Sequence, residues 1–417
     1  MKFGTFLAPH HPIGESPTRQ FQRDIELATL LDHLGFDEFW VGEHHSTGWE
    51  MIASPEMFLA SAAMVTHRIM LGTGVVSLPY HHPFNVAQRM VQLDHVSGGR
   101  AMFGSGPGAL PSDARMLNID PLTQRDRQDE ALGVIIRLLR GERFSHDSDW
   151  FTLRDAALQI LPLQEDMPMV TASSISPSGM TIAGKYGIGA LSIASNSADG
   201  IQALPTQWAF AETSAAQHSQ SVDRKNWRVL LSWHIAETRE QAKAESMLGL
   251  QKWHNEYNVK VLGRPGALWV DDPEVLFSQI AEGGADGGGA AVIGTPDDLI
   301  DAIRRLQQIT GGFGVVLGFA HDWANVEATR RSWDLVARYV VPAVQGTILP
   351  QIASADYAAA NKAELMAGAS AAVMSKIMAD PAAAAAMATT MQQMQARMAQ
   401  QENDPVFRPG GGLPTTG

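Results

Sequence analysis

The chain has no cysteine, which removes disulfides, thiolate nucleophiles and cysteine-ligated metals together. That agrees with a reducing cytoplasm, the compartment expected by default. A basic balance is lacking too: the formal charge is −13 over 417 residues, so there is no cationic field for a phosphate backbone and nucleic acid is not an expected partner. Nowhere do about 18 uninterrupted apolar residues occur, and Met1 to His11 has one lysine and no extended apolar run. Neither a membrane span nor secretion is expected. The 14 histidines form no His-x-His pair and no His-Glu-x-x-His, so no metal is expected. Nucleotide fingerprints fail as well. Gly179 to Lys185 has the spacing of a triphosphate loop, but Tyr186 stands where a Ser or Thr would hold magnesium. Gly104-Ser105-Gly106-Pro107-Gly108 lacks the third glycine of a dinucleotide turn, and Pro107 removes an amide donor.

Hydrophobic residues make up 45% of the chain, enough for a large core. Apolar runs of four to eight residues alternate with longer helical patterns, as in repeated βα units around a parallel sheet. Eight such runs are readable: Lys2–Leu7, Asp37–Val41, Ile69–Val76, Arg100–Gly104, Met169–Ser173, Gly189–Ile193, Arg228–Ile235 and Phe313–Phe319. Eight is the number of a (β/α)8 TIM barrel. Gln20–Leu34 and Asp129–Arg140 have helical spacing, and Thr295-Pro296-Asp297-Asp298 reads as a helix start. The segment at about 237–294 exceeds a simple βα return and reads as an insertion before the last strand, helical at Glu240–Tyr257, with loop at Gly283–Gly289. Residues 1–346 would form the barrel. Residues 347–417, rich in Ala and Met, read as a helical appendage with a disordered end from Gln401.

Ligands of α/β proteins bind where strands end. Three early strands end in histidine pairs: His10-His11, Glu43-His44-His45 and His81-His82. Adjacent residues on a strand face opposite ways, so His44 and His45 diverge. His44 is either a proton handler or a packed strand-end imidazole. Glu43 would orient an imidazole or anchor loop amides. His10, His11, Tyr80 and His82 read as pocket walls. After the fifth strand, Ala172-Ser173-Ser174-Ile175-Ser176 precedes a helix, and hydroxyls with amides at a helix start suit an anion. Arg125, opening another helix, would add charge.

These pieces resemble the bacterial luciferase-like flavin monooxygenases. The landmarks are Met1–Leu7, Gly35–Asp37 through Gly42-Glu43-His44-His45, Leu71–Val76, Leu93–Arg100, Phe103-Gly104 and Gly294-Thr295-Pro296. The limonene 1,2-monooxygenase-like branch is the most similar one, through Ser77–Pro83, Gly106-Pro107-Gly108 with Pro111-Ser112-Asp113, Thr123–Arg127 and Ala172–Gly179. The resemblance implies a (β/α)8 barrel with reduced FMN across its carboxyl end and His44 and Glu43 as catalytic residues. It implies cofactor contacts at Gly74, Val75, Gly106, Arg125, Ala172, Ser173, Ser174 and Ser176, with a cis peptide at Gly74–Val75. Pro107 departs from the luciferase pattern, which has an arginine there. Gly106 replaces a luciferase cysteine and argues against light emission.

In such a family the reduced flavin meets O₂ as a C4a-(hydro)peroxide in a cavity from which water is excluded. Pro9, His10, Trp49, Met51, Ile52, Tyr80, His82 and Leu110 would wall that cavity, which suits an apolar terpene or cyclic ketone. With no pyridine-nucleotide fingerprint, the flavin would come reduced from a separate NAD(P)H:flavin reductase, and an oligomer of identical chains is expected. Two alternatives stand beside this reading: an F420-dependent oxidoreductase on the same barrel, and a non-catalytic flavin-binding subunit.

Overall fold

The structure is a computed structural model that describes residues 1–8, 10–193, 198–282 and 290–401. Pro9, the segment expected as loop at Gly283–Gly289 and the chain from Glu402 onward lie outside the described residues. Eight strands carry the barrel: β1 (Lys2–Leu7), β2 (Glu38–Val41), β3 (Met70–Thr73), β4 (Ala101–Gly106), β5 (Met169–Ser173), β6 (Gly189–Ser192), β7 (Trp227–Ile235) and β8 (Val315–Ala320). Each pairs in parallel with the next, and β8 closes on β1 with Lys2 opposite Val315. The expected strand at Ile69–Val76 is broken: β3 stops at Thr73, the Gly74–Val75 peptide is cis, and Val76–Ser77 pairs afresh with β4.

Outside the barrel stand helices α1 (Pro17–Leu34), α2 (Pro55–Ala63), α3 (Pro83–Ser97), α4 (Gln124–Leu139), α5 (Ser178–Tyr186) and α6 (Ala198–Gln217). Helices α1 and α3 each start on a proline and stop at a left-handed glycine, Gly35 and Gly98, the usual polarity of these two residues. In the insertion, α7 (Arg239–Lys252) runs on into a π-helical segment, Trp253–Val261. Helix α8 (Pro296–Thr310) opens with a capping box between Thr295 and Asp298, and α9 (Val326–Leu335) follows β8.

Three strands escaped the sequence reading. Phe144–Asp147 and Thr152–Ala156 form an antiparallel hairpin, and Ala291–Gly294 extends the end of β7 in parallel. All are short, and the hairpin is largely polar, so no apolar run announces it. Contacts within the chain divide it between Gly346 and Thr347. In the second unit α10 (Leu349–Ala360), α11 (Lys362–Met378) and α12 (Pro381–Gln401) are broken at Asn361 and before Pro381.

Alternation along the strands decides what fills the barrel. Phe6, Trp40, Met102, Val170, Leu191, Leu230, Leu317 and Phe319 pack together inside, while Phe3, Leu7, Phe39, Val41 and Leu71 join the outer core under the helices. Trp40 takes the centre because β3 has glycine opposite it: a Cβ on Gly72 would stand 2.4 Å from the indole. Below it, Arg228 of β7 makes a bidentate pair with Glu38 of β2 at 2.8 and 2.9 Å, and the Trp40 Nε1–H donates to Glu38 at 2.8 Å. This buried pair spans the barrel floor, and the open chemistry lies at the other end.

Candidate active site

Strand β2 delivers Glu43, His44 and His45 to the carboxyl mouth, and the alternation of the strand persists past its end. His44 turns one way and its two neighbours turn the other. The His44 Nε2 lies 3.0 Å from Glu50 Oε2 and its Nδ1 lies 3.1 Å from Asp113 Oδ2. Burial alone would lower this imidazole, but the Glu50 and Asp113 carboxylates outweigh it and raise its proton affinity. Asp113, on the short helix Pro111–Met116, is itself fixed by the Ser46 hydroxyl and the His45 amide. Glu50 lies in the loop after β2, which bridges to His10. It receives His10 Nε2 at 3.2 Å and the hydroxyl of Tyr257 from the insertion.

Glu43 does not orient His44. Its Oε1 accepts from His45 Nε2 at 2.8 Å and His81 Nε2 at 2.7 Å, and its Oε2 accepts the Ser77 amide at 2.8 Å. Burial opposes ionisation there, yet the two imidazoles and the amide push the carboxyl down to about 2. So the reading of Glu43 as a loop anchor describes its contacts, and a direct catalytic contact does not. Among the described residues these three donors alone are grouped closely enough to share a cation. Both imidazole nitrogens sit at hydrogen-bond distance from one carboxylate oxygen, so the trio is a hydrogen-bonded brace between the loops after β2 and β3.

At the ends of β3, β4 and β5 the structure brings Val75, Gly106 and Ala172 together. A Cβ on Gly106 would meet Val75 Cγ2 at 2.4 Å and Ala172 Cβ at 3.7 Å. Val75 and Ala172 are half-buried, and Gly74 is buried. Arg125 is the second residue of α4 and exposed, and no carboxylate pairs with it among the described residues. One turn further on, Gln128 donates to Thr171 of β5 at 3.0 Å, so the start of α4 lies beside the strand that leads into Ser173 and Ser174. Ser174 is exposed with its hydroxyl unengaged among the described residues. Ser173 is tied to Gln207 of α6 at 3.1 Å, and Ser176 to Ser178 at 2.9 Å.

Of the expected walls, Trp49 and Leu110 are buried, and Met51 and Tyr80 are half-buried. Trp49 stacks obliquely on Tyr257 at 5.3 Å. Tyr80 accepts from Gln124 at 3.0 Å, and burial pushes its phenol up to about 12. His10 lies 4.6 Å from Tyr257. Two placements need correction. His82 is exposed, caps α3 by accepting from the Phe84 amide, and faces Phe151 of the hairpin. His11 turns outward to Asp24 of α1 and to Asp322, at 3.0 and 2.7 Å, in a separate pocket beside Arg23 and Trp333. Pro12 beside one and Pro83 beside the other redirect the chain just past each pair.

The sequence reading missed Glu50, Asp113, Tyr257 and Gln124. Asp113 was visible within Pro111-Ser112-Asp113, but its partner was not. Nothing local marks the other three.

A closed parallel barrel with an imidazole and two carboxylates at its carboxyl mouth has the build of a (β/α)8 enzyme. The chain belongs to the luciferase-like monooxygenase family, whose model matches residues 1–311, and is therefore an oxidoreductase. It is 46% identical over 352 residues to 4-hydroxyprotoasukamycin monooxygenase of Streptomyces nodosus subsp. asukaensis, covering 84% of this chain and 93% of that one. It is 47% identical over 350 residues to limonene 1,2-monooxygenase of Rhodococcus erythropolis, covering 84% and 88%. Among solved structures, the oxygenating constituent of 3,6-diketocamphane monooxygenase of Pseudomonas putida, in complex with FMN, superposes with a TM-score of 0.70. The two chains are 25% identical over 82% of this chain and 98% of that one.

Proposed function

We propose that the chain is the oxygenating component of a two-component flavin monooxygenase. It would take reduced FMN from a separate NAD(P)H:flavin reductase and place one atom of O₂ in a small apolar terpene alkene or cyclic ketone. The other oxygen atom leaves as water, with both electrons drawn from the flavin. The observation that carries this reading is His44, held between Glu50 and Asp113 at the carboxyl end of the barrel, where Val75, Gly106 and Ala172 also come together. What supports a flavin mononucleotide is Val75 seated closely against Gly106, where the glycine has no Cβ to displace it, and an exposed Arg125 with no counter-ion among the described residues.

When bound and reduced, FMN supplies the electrons that activate O₂. The rest falls to the protein. Arg125 and Ser174 would hold the phosphate, with Ala172, Ser173 and Ser176 shaping that loop. Gly74, Val75 and Gly106 would support the ring, and His44 would hold the proton at Nε2. Trp49, Met51, Tyr80 and Leu110 would exclude water and favour apolar substrates. The relatives act with the same logic in their names: one oxidises limonene and one is an oxygenating constituent seen with FMN. An assembly of identical chains belongs to the same reading.

The test mixes the protein with an unrelated flavin reductase, NADH, FMN and a cyclic terpene under ¹⁸O₂. The expected outcome is O₂ uptake with one labelled atom in the organic product, and no NADH oxidation without the reductase. Anaerobic turnover with reduced F420, together with no oxygenation from reduced FMN, would replace this reading with the hydride-transfer alternative.

A further inference from the structure

His44 makes contacts that most imidazoles do not. Each ring nitrogen faces a carboxylate oxygen, Glu50 at 3.0 Å and Asp113 at 3.1 Å. A neutral imidazole has a hydrogen on only one nitrogen, so one of these contacts would then set lone pair against lone pair. Hydrogens on both nitrogens satisfy both carboxylates, and the ring is then a cation.

That state depends on Glu50 staying ionised although its side chain is only 4% exposed. A carboxylate out of water needs donors. Glu50 has three, from three parts of the chain: His44 on Oε2, and His10 Nε2 and the Tyr257 hydroxyl on Oε1. His10 presents Nε2 and leaves its buried Nδ1 without a partner, the pattern of a ring carrying its hydrogen on Nε2. Tyr257 is 1% exposed and comes from the insertion, 207 residues away in sequence. No other hydroxyl reaches this carboxylate among the described residues. The arginine of the next loop, Arg264, also draws Glu50 toward the ionised form through its charge.

We propose that Tyr257 and Glu50 are positioning residues that set the proton affinity of His44, Glu50 holding the ring as a charged proton donor and Tyr257 tempering that hold, so that the insertion forms part of the acid machinery of the barrel. This rests on His44 being the proton handler of the proposed reaction. His44 then enters the cycle carrying the proton on Nε2 and gives it to the oxygen atom that leaves as water, rather than waiting as a base. The hydroxyl of Tyr257 spreads the negative charge of Glu50, which loosens the hold of that carboxylate on the His44 proton and leaves the ring able to give it up. Other groups facing the pair are Asp113 and Glu43 on the His44 side, with His45 adjacent, and His10 and Arg264 on the Glu50 side. The two carboxylates beyond Glu50 strengthen the cation, and the two bases on the Glu50 side hold its anion.

Opposite variants give opposite signs. Tyr257→Phe keeps the ring against Trp49 and His10 but removes a donor, so Glu50 becomes more negative and His44 releases its proton at higher pH. Glu50→Gln removes the charge, and His44 releases it at lower pH. The readout is the titration of the His44 ring nitrogens by ¹⁵N NMR in the protein without flavin, assigned by loss of the signal in His44→Gln. Shifts of about one pH unit, tenfold in proton affinity, are expected in each direction, and the pH profile of turnover should move with them. An unchanged midpoint in Tyr257→Phe overturns the proposal even if Glu50→Gln fails to fold. A purely structural role would lower the melting temperature without moving the titration. Because that titration uses no flavin, absence of oxygenation with reduced FMN would remove the proposed function and leave this result standing.

Discussion

A single added methyl group distinguishes the cofactor face from the barrel wall. In Gly106→Ala the new Cβ would stand 2.4 Å from Val75 Cγ2 and 3.5 Å from Val75 Cβ, and Val75 is β-branched with few rotamers to choose from. Gly106 lies outside the left-handed region, so its backbone accepts alanine and the conflict is with Val75 alone. Val75 is half-buried, so it has room to yield. It can swing outward in the free protein, into the space the flavin ring would take, and binding must push it back. Overpacking of this kind costs about 1–3 kcal/mol. At about 1.4 kcal/mol per tenfold, FMN should bind roughly 5- to 100-fold more weakly, with little loss of melting temperature. Gly104→Ala is the control. Its Cβ would lie 2.0 Å from the Thr73 carbonyl oxygen, where no side chain can yield, so stability should fall first. Affinity would come from fluorescence quenching of FMN and stability from calorimetry. If Gly106→Ala binds FMN as the parent does while losing stability, Val75 does not support the cofactor and the placement of the flavin fails.

His44→Ala should retain FMN affinity while turnover falls by about 10²–10⁴-fold, the usual loss for a general acid or base; full activity would remove its role. Glu38→Gln strands the buried Arg228 guanidinium and should cost about 3–5 kcal/mol in urea denaturation; a loss under about 1 kcal/mol would mean the pair does not hold the barrel floor. Burial lowers the His11 imidazole, but Asp24 and Asp322 outweigh it and raise it from 6.5 to about 9. Its contribution to stability is therefore full below about pH 6.5 and lost as pH rises through about 9, so urea midpoints should fall across that window and flatten in His11→Gln. Cutting the chain after Gly346 should leave cooperative unfolding and FMN binding unchanged, since β8 and α9 end earlier; loss of soluble protein would show instead that the Ala and Met helices cover an apolar face.

The barrel was legible because each of its strands is an apolar run closed by a turn signal, and burial on both faces of a parallel sheet demands such runs. Thr295 with Pro296 and Asp298 marked a helix start for a local reason too, and the spacing over Gln20–Leu34 found α1 to within a few residues. The hairpin at Phe144–Ala156 was not legible, since Arg143, Ser145, His146 and Asp147 look like loop. The break at Gly74–Val75 was not readable from alternation either. It entered through the resemblance of Leu71–Val76 to a family.

The site was legible only in part, and the boundary has a physical cause. His44 declares itself because a strand must end before a loop can carry chemistry. Its two carboxylates and the tyrosine on Glu50 do not, because each is supplied by a different connection at the same mouth: Glu50 by the loop after β2, Asp113 by the short helix after β4, and Tyr257 by the insertion after β7. Barrel closure brings these loops together, and no spacing along the chain encodes it. Glu43 shows the converse error. Adjacency suggested that it serves His44, but alternation sends neighbours to opposite sides, so Glu43 pairs with His45 and His81. In a barrel of this kind the partner of a strand-end residue is better sought two residues along, or on another loop, than next to it in sequence.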